Sequence, residues 1–554
     1  MNENIIKEEW DNINLDYEGE NKFASFFSSQ GNIHSYPAKA VPEMINDLIV
    51  KLKDEYDIKT VLDPFIGSGT TALEAKYLGM DFYGSDLNPL AILLSKTKIL
   101  TIDNTMYVKK QINKFIKDVK NTYSYSNLVS IDNFENIEYW FKEKNIKELS
   151  FIKKKINKFL KKSKKYRQTY ALILLTSFSS TIRSVSLTRN GEFKLYRMSK
   201  SDIEKHNVNA LHVFEKKINN LLNMLVVANN SYKKDTIGNI YLANAKNLSY
   251  MRDKKVQLVI TSPPYGDSQS TVAYGQFSRL SIQWMKDLLE KYLNIKCDYD
   301  NCDQYLLGGK KSDFTLQDEK NFYNSKELKK LIYNMDKVIE KNIKERTDAE
   351  LEIENLEVLL NTSENIDFSI NISDLLLKLI KERVRLDTFK TISHKKNLSN
   401  TEIKKISKER ADKFIVELFS NNKRIKYKRK KELQEKLPYV KDTLNRNIKS
   451  MPKRKIQVID FFKDLYKVVV ETDRVLEVGG LQTWIVGHRT VLGEVNVNME
   501  GILTDWFKAK GYTVITSLVR KYSFKRMPYH INSTIIKNKE INTMMNEYIL
   551  IVRK

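Results

Sequence analysis

Two short segments of the chain carry residues whose types and spacing suit ligand chemistry. The first, DPFIGSGTT (63–71), follows an apolar run and places Gly67 and Gly69 in a turn before a helix. Glycine in such a turn lets the backbone approach a ligand closely. Asp86 lies about 20 residues further on, where an acid holds ribose hydroxyls. The alternative is a plain helix-entry turn with a capping acid.

The second segment is TSPPY (261–265), in which two prolines stiffen the backbone and remove two N–H donors. The carbonyl groups of such a loop are left free to accept hydrogen bonds from an amino group. Ser262 adds a side-chain acceptor, and Tyr265 offers a flat face on which a base could stack. The alternative is a rigid strand-exit turn with a packing tyrosine.

The first segment lies within a pattern of alternating strands and helices. Apolar spacing predicts helices over 41–52 and 67–79, and short apolar runs predict strands over 59–65 and 80–88. A strand, a glycine-rich turn, a helix and a second strand are typical of the start of a doubly wound α/β sheet.

The same alternation returns later in the chain. Strands are predicted over 257–265, 481–487 and 547–554, and helices over 461–476 and 501–511. The sequence therefore predicts one α/β domain assembled from three separated pieces.

Two basic, largely helical segments, 105–235 and 291–455, separate these pieces. Each contains a run of positive charge, KKKINKFLKKSKK (153–165) and KRIKYKRKKELQEK (423–436). Both segments are therefore candidates for nucleic-acid contact, and 291–455 is the candidate target-recognition domain, because reading a base sequence requires side chains in a groove. A solvated helix face is the alternative for each run. The predicted domain boundaries are 1–104, 105–235, 236–290, 291–455 and 456–554.

Composition favours a polyanionic partner. The 554 residues include 94 Lys and Arg against 69 Asp and Glu, a net charge of +25, although an AT-rich genome would also raise lysine. The two cysteines exclude a disulfide framework and suggest no zinc site. No secretory signal or membrane-crossing apolar run is evident, which predicts a soluble, cytoplasmic protein.

Together the two motifs resemble those of the DNA amino-methyltransferases, which methylate exocyclic nitrogens of DNA bases. Segment 63–71 matches that family's first motif at every fixed position, and 262–265 matches its second in the serine version. HSYPAK (34–39) resembles the segment that helps cover the methionine end of the cofactor. Ala243-Asn244-Ala245 is a weaker match, because the family often has aspartate where Asn244 stands.

The resemblance implies a Rossmann-like methyltransferase sheet, the cofactor S-adenosylmethionine and double-stranded DNA as substrate. It also implies a possible cognate restriction endonuclease, and neither a metal nor a membrane. The residues that it assigns to the target base are Ser262, Pro263, Pro264 and Tyr265. The residues that it assigns to the cofactor are His34, Tyr36, Pro37, Lys39, Asp63, Phe65, Gly67, Gly69, Thr70, Asp86, Asn88 and Asn244.

The target base is predicted from the residues around the prolines. Methylation of cytosine carbon 5 is disfavoured, because that reaction uses a cysteine in a Pro-Cys turn and no proline here precedes a cysteine. Serine before Pro-Pro-Tyr favours cytosine N4, with adenine N6 as the alternative. An RNA amino-methyltransferase and a non-catalytic nucleic-acid-binding protein also remain open.

Overall fold

The structure, a computed structural model, describes residues 33–37, 40–123, 134–189, 194–233, 235–265, 273–297, 302–362, 372–393, 400–418, 427–521, 530–532, 540–542 and 546–554. Lys39, one of the predicted cofactor contacts, lies outside these residues.

The described residues form a mixed α/β fold. The helices are α1 (Pro42–Tyr56), α2 (Thr70–Tyr77), α3 (Pro89–Lys98), α4 (Thr105–Thr122), α5 (Ile137–Trp140), α6 (Glu143–Lys162), α7 (Arg167–Val185), α8 (Lys200–Lys205), α9 (Ala210–Ser231), α10 (Tyr274–Leu293), α11 (Glu319–Phe322), α12 (Lys326–Thr362), α13 (Asp374–Ser393), α14 (Asn400–Leu418), α15 (Tyr427–Val475) and α16 (Met499–Ala509). The strands are β1 (Thr60–Asp63), β2 (Asp81–Asp86), β3 (Gly238–Leu242), β4 (Val256–Thr261), β5 (Leu476–Gly487), β6 (Arg489–Val491), β7 (Val495–Val497), β8 (Thr513–Lys521), β9 (His530–Asn532), β10 (Glu540–Asn542) and β11 (Asn546–Arg553).

Seven of these strands form one mostly parallel sheet in the order β3-β2-β1-β4-β5-β11-β8. The first five run parallel to one another, while β11 is antiparallel to both of its neighbours. The strand order reverses direction between β1 and β4, which is where open α/β sheets bind ligands. The arrangement is consistent with a Rossmann-like methyltransferase and confirms the predicted α/β class.

Apolar side chains on the central strands alternate between two cores, because successive residues of a strand point to opposite faces. Val61 and Ile549 belong to one cluster, and Leu62 and Leu550 belong to the other. Helices α1 to α4, α6, α7, α9 and α10 cover the first face, and α12, α15 and α16 cover the second. The sheet is therefore buried on both sides, as continuous apolar strands such as β4 require.

Local signals explain the helices nearest to the glycine turn. In α1, Met44, Ile45, Leu48, Ile49 and Leu52 are buried at helical spacing, which confirms the helix predicted over 41–52. Helix α3 begins with a proline at its first position, and the side chain of the preceding asparagine accepts a hydrogen bond from its first turn.

The Ser/Thr-rich stretch 176–190 belongs mainly to α7, and its hydroxyl-bearing side chains are buried there. Thr181 donates a hydrogen bond to the carbonyl oxygen of Ser177 at 2.8 Å, and the hydroxyls of Thr97 and Thr176 lie 2.8 Å apart. A helical serine or threonine can satisfy its hydroxyl in this way, so a polar sequence can pack inside a protein.

A third apolar cluster is formed by α12, α13, α14 and α15, away from the sheet. Both α12 and α15 contribute to this cluster and to the core under the sheet. Helix α15 is continuous across the predicted boundary at 455/456 and contains Pro438 and Pro452. The first residues of α12 and the last residues of α15 therefore connect the distal cluster to the sheet.

Candidate active site

The predicted site residues converge on one edge of the sheet. Strands β1, β2 and β4 end at Asp63, Asp86 and Thr261. Since these strands are parallel, their carboxyl ends lie at the same edge, which we call the carboxyl edge. The glycine turn leaves β1 there, and the Pro-Pro loop leaves β4 beside it.

Asp63 holds the glycine turn to both neighbouring strands. Its Oδ1 accepts hydrogen bonds from the backbone N–H of Phe65 at 3.0 Å and from the Thr261 hydroxyl at 2.7 Å. Its Oδ2 accepts one from the Thr71 hydroxyl at 2.7 Å. Burial raises the pKa of Asp63 to about 6, although these bonds act in the opposite direction. Protein donors thus occupy both oxygens of a residue predicted to contact the cofactor.

The two glycines of the turn adopt backbone conformations that other residues rarely adopt. Gly67 has φ +49° and Gly69 has φ +86°. A Cβ atom on Gly69 would lie 2.7 Å from the Cβ of Ser95, so the turn can pack on α3 only with glycine there. At Gly67 the nearest atom to such a Cβ is on the Tyr36 ring, 3.7 Å away. Phe65 is half-buried, and Thr70 is buried at the start of α2.

Asp86 links the glycine turn to the start of α3. Its carboxylate accepts hydrogen bonds from the backbone N–H of Gly67 at 3.0 Å and of Asn88 at 2.8 Å. The surrounding protein removes much of its hydration, which raises the pKa of Asp86 to about 6 despite these two bonds. The structure therefore brings Asp86 beside the turn, as a ribose-binding acid requires.

The segment 33–37 packs onto this turn from the helical side. Tyr36 is 7% exposed, and its hydroxyl oxygen lies 3.2 Å from the Asn88 amide nitrogen. The His34 ring lies 2.8 Å through Nε2 from the Ser179 hydroxyl. Pro37 is also buried. Except for Lys39, the predicted residues of this segment thus lie together.

Several residues that sequence analysis did not select form or support the aromatic surroundings of Tyr36. The Tyr36 ring lies 5.9 Å from the Tyr274 ring and 6.0 Å from the Phe277 ring. The Arg183 guanidinium lies 3.8 Å from the Phe277 ring centre, and burial lowers the pKa of Arg183 to about 10. Asp303 accepts hydrogen bonds from the first backbone N–H groups of α10. No spacing rule links these positions, because they are distant in the chain.

Asn244 follows β3 at the same edge. The preceding residue, Ala243, donates its backbone N–H to the Asp86 carbonyl oxygen at 3.1 Å. The Asn244 side-chain oxygen accepts a hydrogen bond from the backbone N–H of Lys246 at 3.0 Å, which forms a tight local turn. Asn244 thus lies next to the Asp86 strand end, and its contact with an adenine ring stays a prediction.

Side-chain hydrogen bonds connect the Pro-Pro loop to strands β11 and β8. The Ser262 hydroxyl lies 3.3 Å from the Tyr265 hydroxyl, which donates a hydrogen bond to Glu547 Oε1 at 2.8 Å. Arg520 Nη1 donates to Glu547 Oε2 at 2.6 Å. Pro263 is buried, and Ser262, Pro264 and Tyr265 are half-buried. Sequence analysis missed Glu547 and Arg520, although an acid at the start of a strand antiparallel to its neighbour must lie at this edge.

The described part of the chain lacks two kinds of feature. It contains no group of three or more His, Cys, Asp or Glu side chains that could hold a metal ion. Among the same residues, no helix combines the length and apolar character needed to cross a bilayer.

Comparison with known proteins adds independent observations. A family model described as DNA methylase, for N6 and N4 methyltransferases, matches residues 2–97. The Type II methyltransferase M.MvaI of Kocuria varians is 27% identical over 531 residues, which cover 94% of this chain and 90% of that protein. The Type II methyltransferase M.MjaII of Methanocaldococcus jannaschii is 31% identical over 71 residues, 13% of each chain. No solved structure matches significantly.

The family model covers the glycine turn and Asp86, and the similarity to M.MvaI extends over nearly the whole chain. These matches agree with the geometry of the carboxyl edge, which the motifs alone had suggested. The chain is therefore similar to the N6 and N4 DNA methyltransferases, through the family model over residues 2–97 and through M.MvaI over nearly its whole length.

Proposed function

We propose that the protein transfers a methyl group from S-adenosylmethionine to the N4 amino group of a cytosine that has been rotated out of double-stranded DNA. The observation that carries the proposal is the placement of the Pro-Pro loop beside the Gly67–Asp86 turn at the point where the strand order reverses. A cofactor on one side and an amino group on the other would meet at this point.

The turn fits the proposed cofactor. Gly67 has a left-handed backbone conformation that keeps the turn tight, and Asp86 presents carboxylate oxygens that can accept hydrogen bonds from ribose hydroxyls. Tyr36, Tyr274 and Phe277 form an aromatic wall that would exclude water. Phe65, Gly69, Thr70, Asn88 and Asn244 are proposed to line or shape the same pocket, and His34 and Pro37 its outer side. S-Adenosylmethionine supplies the electrophilic methyl group of a sulfonium.

The Pro-Pro loop is proposed to activate the target nitrogen. The lone pair of an aromatic amino group is delocalised into its ring, which makes the group a weak nucleophile. Hydrogen bonds from its protons to Ser262 and to the Pro263 or Pro264 carbonyl favour a more tetrahedral, nucleophilic nitrogen. Tyr265 offers a ring for stacking, and positioning supplies much of the acceleration.

The cysteines support amino methylation over attack through carbon. Both described cysteines are buried. Burial and the neighbouring carboxylates Asp303 and Asp86 raise the pKa of the Cys302 thiol well above its ordinary value. A carbon-5 reaction needs a thiolate nucleophile, and Cys302 is poorly suited to form one.

We further propose that the three α/β pieces, 1–104, 236–290 and 456–554, form the catalytic domain, and that the helical segments 105–235 and 291–455 contact DNA. At the end of α6, Lys161, Lys162, Lys164 and Lys165 are exposed. In the second segment, Arg429 forms ion pairs with Glu417 and Glu432, and Lys436 pairs with Asp387. The end of the first run, 161–165, is therefore more available to phosphates than the paired residues of the second.

The decisive experiment is incubation of the purified protein with labelled S-adenosylmethionine and unmethylated duplex DNA of mixed sequence. The DNA is digested to nucleosides, and the labelled nucleoside is identified by mass. We expect N4-methylcytosine, and Ser262→Ala should lower its formation. N6-methyladenine would change the base, label in RNA alone would change the substrate class, and no label with intact cofactor binding would overturn the proposed activity.

The DNA-contact proposal is tested by replacing Lys161, Lys162, Lys164 and Lys165, at the end of α6 and just after it, with alanine. We expect weaker DNA binding and a salt dependence reduced by about one unit for each lysine that contacts a phosphate. The matched variant replaces the exposed Lys404, Lys405 and Lys408 of α14. A salt dependence unchanged in both variants would contradict the assignment of both segments.

A further inference from the structure

Four side chains form a continuous hydrogen-bonded series from β8 to the Pro-Pro loop. Arg520 donates to Glu547 at 2.6 Å, Tyr265 donates to Glu547 at 2.8 Å, and the Tyr265 and Ser262 hydroxyls lie 3.3 Å apart. Arg520 and Glu547 are only 9% and 8% exposed. Their Cα atoms are directly opposite in the pairing of β8 with β11, so the backbone register fixes the ion pair.

The chemistry of these groups fixes the direction of each hydrogen bond. An ionised carboxylate beside a guanidinium has only lone pairs to offer, so the Tyr265 hydroxyl must donate its single proton to Glu547. The Tyr265 oxygen can then act only as an acceptor towards Ser262. The Ser262 hydroxyl therefore donates to Tyr265, and no donor among the described residues occupies its own lone pairs.

We infer that the Arg520–Glu547 ion pair acts through Tyr265 to orient the Ser262 hydroxyl, so that Ser262 presents a hydrogen-bond acceptor to the amino group of the target base. This inference rests on the proposed function. A freely rotating hydroxyl could instead donate to a ring nitrogen of the base, which would not increase the nucleophilicity of the amino group. Arg520 and Glu547 are thus positioning residues that lie outside the motif.

A second network, which also joins a tyrosine to a carboxylate and to basic side chains, provides a matched control. At the opposite end of the sheet, Tyr512 donates to Asp473 at 2.7 Å, and Lys510 and Lys554 form ion pairs with that carboxylate. Replacing a carboxylate by an amide there disturbs a similar tyrosine and similar cations. The matched change, Asp473→Asn, does not alter a group near the proposed site.

The test variant is Glu547→Gln. Arg520 will hold the amide oxygen, so the amide N–H₂ faces Tyr265 and makes that hydroxyl donate to Ser262 instead. We expect the single-turnover rate of methyl transfer to fall by about tenfold or more, the effect of one misdirected hydrogen bond. Affinities for cofactor and for DNA should change less than about twofold, and Asp473→Asn should keep the wild-type rate.

The same substitution is then made in Ser262→Ala and in Tyr265→Phe, and thermal unfolding is measured for every variant. If Glu547 acts through Tyr265 and Ser262, Glu547→Gln will cause no further loss of rate in either background. A purely structural role would lower the rate equally in all backgrounds and would follow the loss of stability. Tyr265→Phe, which keeps the ring, provides a second break in the series if Glu547→Gln folds poorly.

Two results would overturn the inference alone: a wild-type rate in Glu547→Gln, or an equal loss of rate with and without Ser262. If the wild-type protein binds cofactor and DNA but methylates no base, the proposed function fails and the inference fails with it. The wild-type measurement therefore distinguishes the two failures.

Discussion

Two edges of the central sheet each carry a tyrosine that donates to a carboxylate paired with basic side chains. At the carboxyl edge, Tyr265 donates to Glu547, which pairs with Arg520 next to the proposed target base. At the opposite edge, which we call the amino edge, Tyr512 donates to Asp473 beside two lysines. The first network reaches the half-buried Ser262 hydroxyl in the Pro-Pro loop. The second network joins only residues at or near the ends of strands and helices.

The carboxyl groups of the two edges also differ in pKa. Burial raises the pKa of both Asp63 and Asp86 to about 6. Burial acts on Asp473 as well, but the Tyr512 hydroxyl and the lysines outweigh it, and the pKa of Asp473 lies below its ordinary value. The amino edge therefore favours the ionised state of its carboxylate, whereas the carboxyl edge keeps two carboxylates that the protein alone does not fully stabilise.

A pair of glycines shows the same contrast in the backbone. Gly69 and Gly511 both have φ +86°. A Cβ atom on Gly69 would collide with Ser95, whereas a Cβ atom on Gly511 would meet nothing within 4 Å. The two glycines share one backbone conformation, so the carboxyl edge differs from the amino edge in the close packing around Gly69 and in the raised pKa values of Asp63 and Asp86.

The largest expected effect comes from Gly69→Ala. The left-handed conformation costs about 1 to 2 kcal/mol with a side chain, and the overlap with Ser95 adds about 1 to 3 kcal/mol. We expect the free energy of unfolding to fall by about 3 kcal/mol and cofactor binding to weaken more than tenfold. Gly511→Ala should lose only the conformational part, about 1 to 2 kcal/mol, and should bind cofactor normally. Equal losses of stability in denaturant titrations would show that the packing of the glycine turn adds nothing.

An intermediate effect is expected on the pH dependence of cofactor affinity. The ionised carboxylate of Asp86 is the better acceptor for ribose hydroxyls, so affinity should increase as the pH rises through about 6. The pKa of Asp86 is higher in the folded protein than in the unfolded chain. The contribution of Asp86 to stability is therefore complete below the unfolded pKa and is lost as the pH rises through the folded-state pKa of about 6. Cofactor binding is therefore expected to tighten while the free protein becomes less stable.

Titration calorimetry with S-adenosylmethionine between pH 5 and 8 checks this expectation. Asp86→Asn should bind more weakly at pH 7 and should lose most of the pH dependence. An unchanged pH profile in that variant would remove Asp86 from the cofactor site.

The smallest effects separate the two tyrosines. Tyr512→Phe loses buried hydrogen bonds with Asp473 and Gln482, so it should lower the free energy of unfolding by about 1 to 3 kcal/mol without changing the methylation rate. Tyr265→Phe should slow methyl transfer by about tenfold with a smaller loss of stability, because its hydroxyl is only half-buried. Thermal unfolding and single-turnover kinetics of both variants test this reversal, and the same ranking in both assays would contradict it.

The part of the site around the glycine turn and Asp86 could be predicted because its sequence signals are local. Strand β1, the glycine turn, α2 and β2 follow one another within 60–86, and each has its own apolar period or glycine. Strand β4 was predicted from a similar apolar run. Strands β3 and β8, the two outermost strands of the sheet, were not predicted. Strand β3 is partly exposed and gives only a weak apolar pattern.

Long-range contacts account for what sequence analysis missed or left open. The Ser/Thr-rich stretch 176–190 gives no apolar stripe, yet its helix is buried, and several of its hydroxyls bond within the helix or to neighbouring side chains. Asp63 matches a ligand-binding motif, but whether its oxygens are available depends on Thr261, nearly 200 positions away. A pattern read along one segment cannot include such partners.

By itself, the sequence determined the glycine turn, the acid of the next strand and the Pro-Pro-Tyr loop, because backbone conformation and hydrogen-bonding capacity depend on those residues alone. Only the tertiary structure decided what surrounds them. The antiparallel pairing of β11 brings Glu547 and Arg520 to the loop, and the packing of α7 and α10 sets aromatic rings against the turn. Burial and partner atoms, which fix the charge and proton direction of each group, exist only in the folded chain.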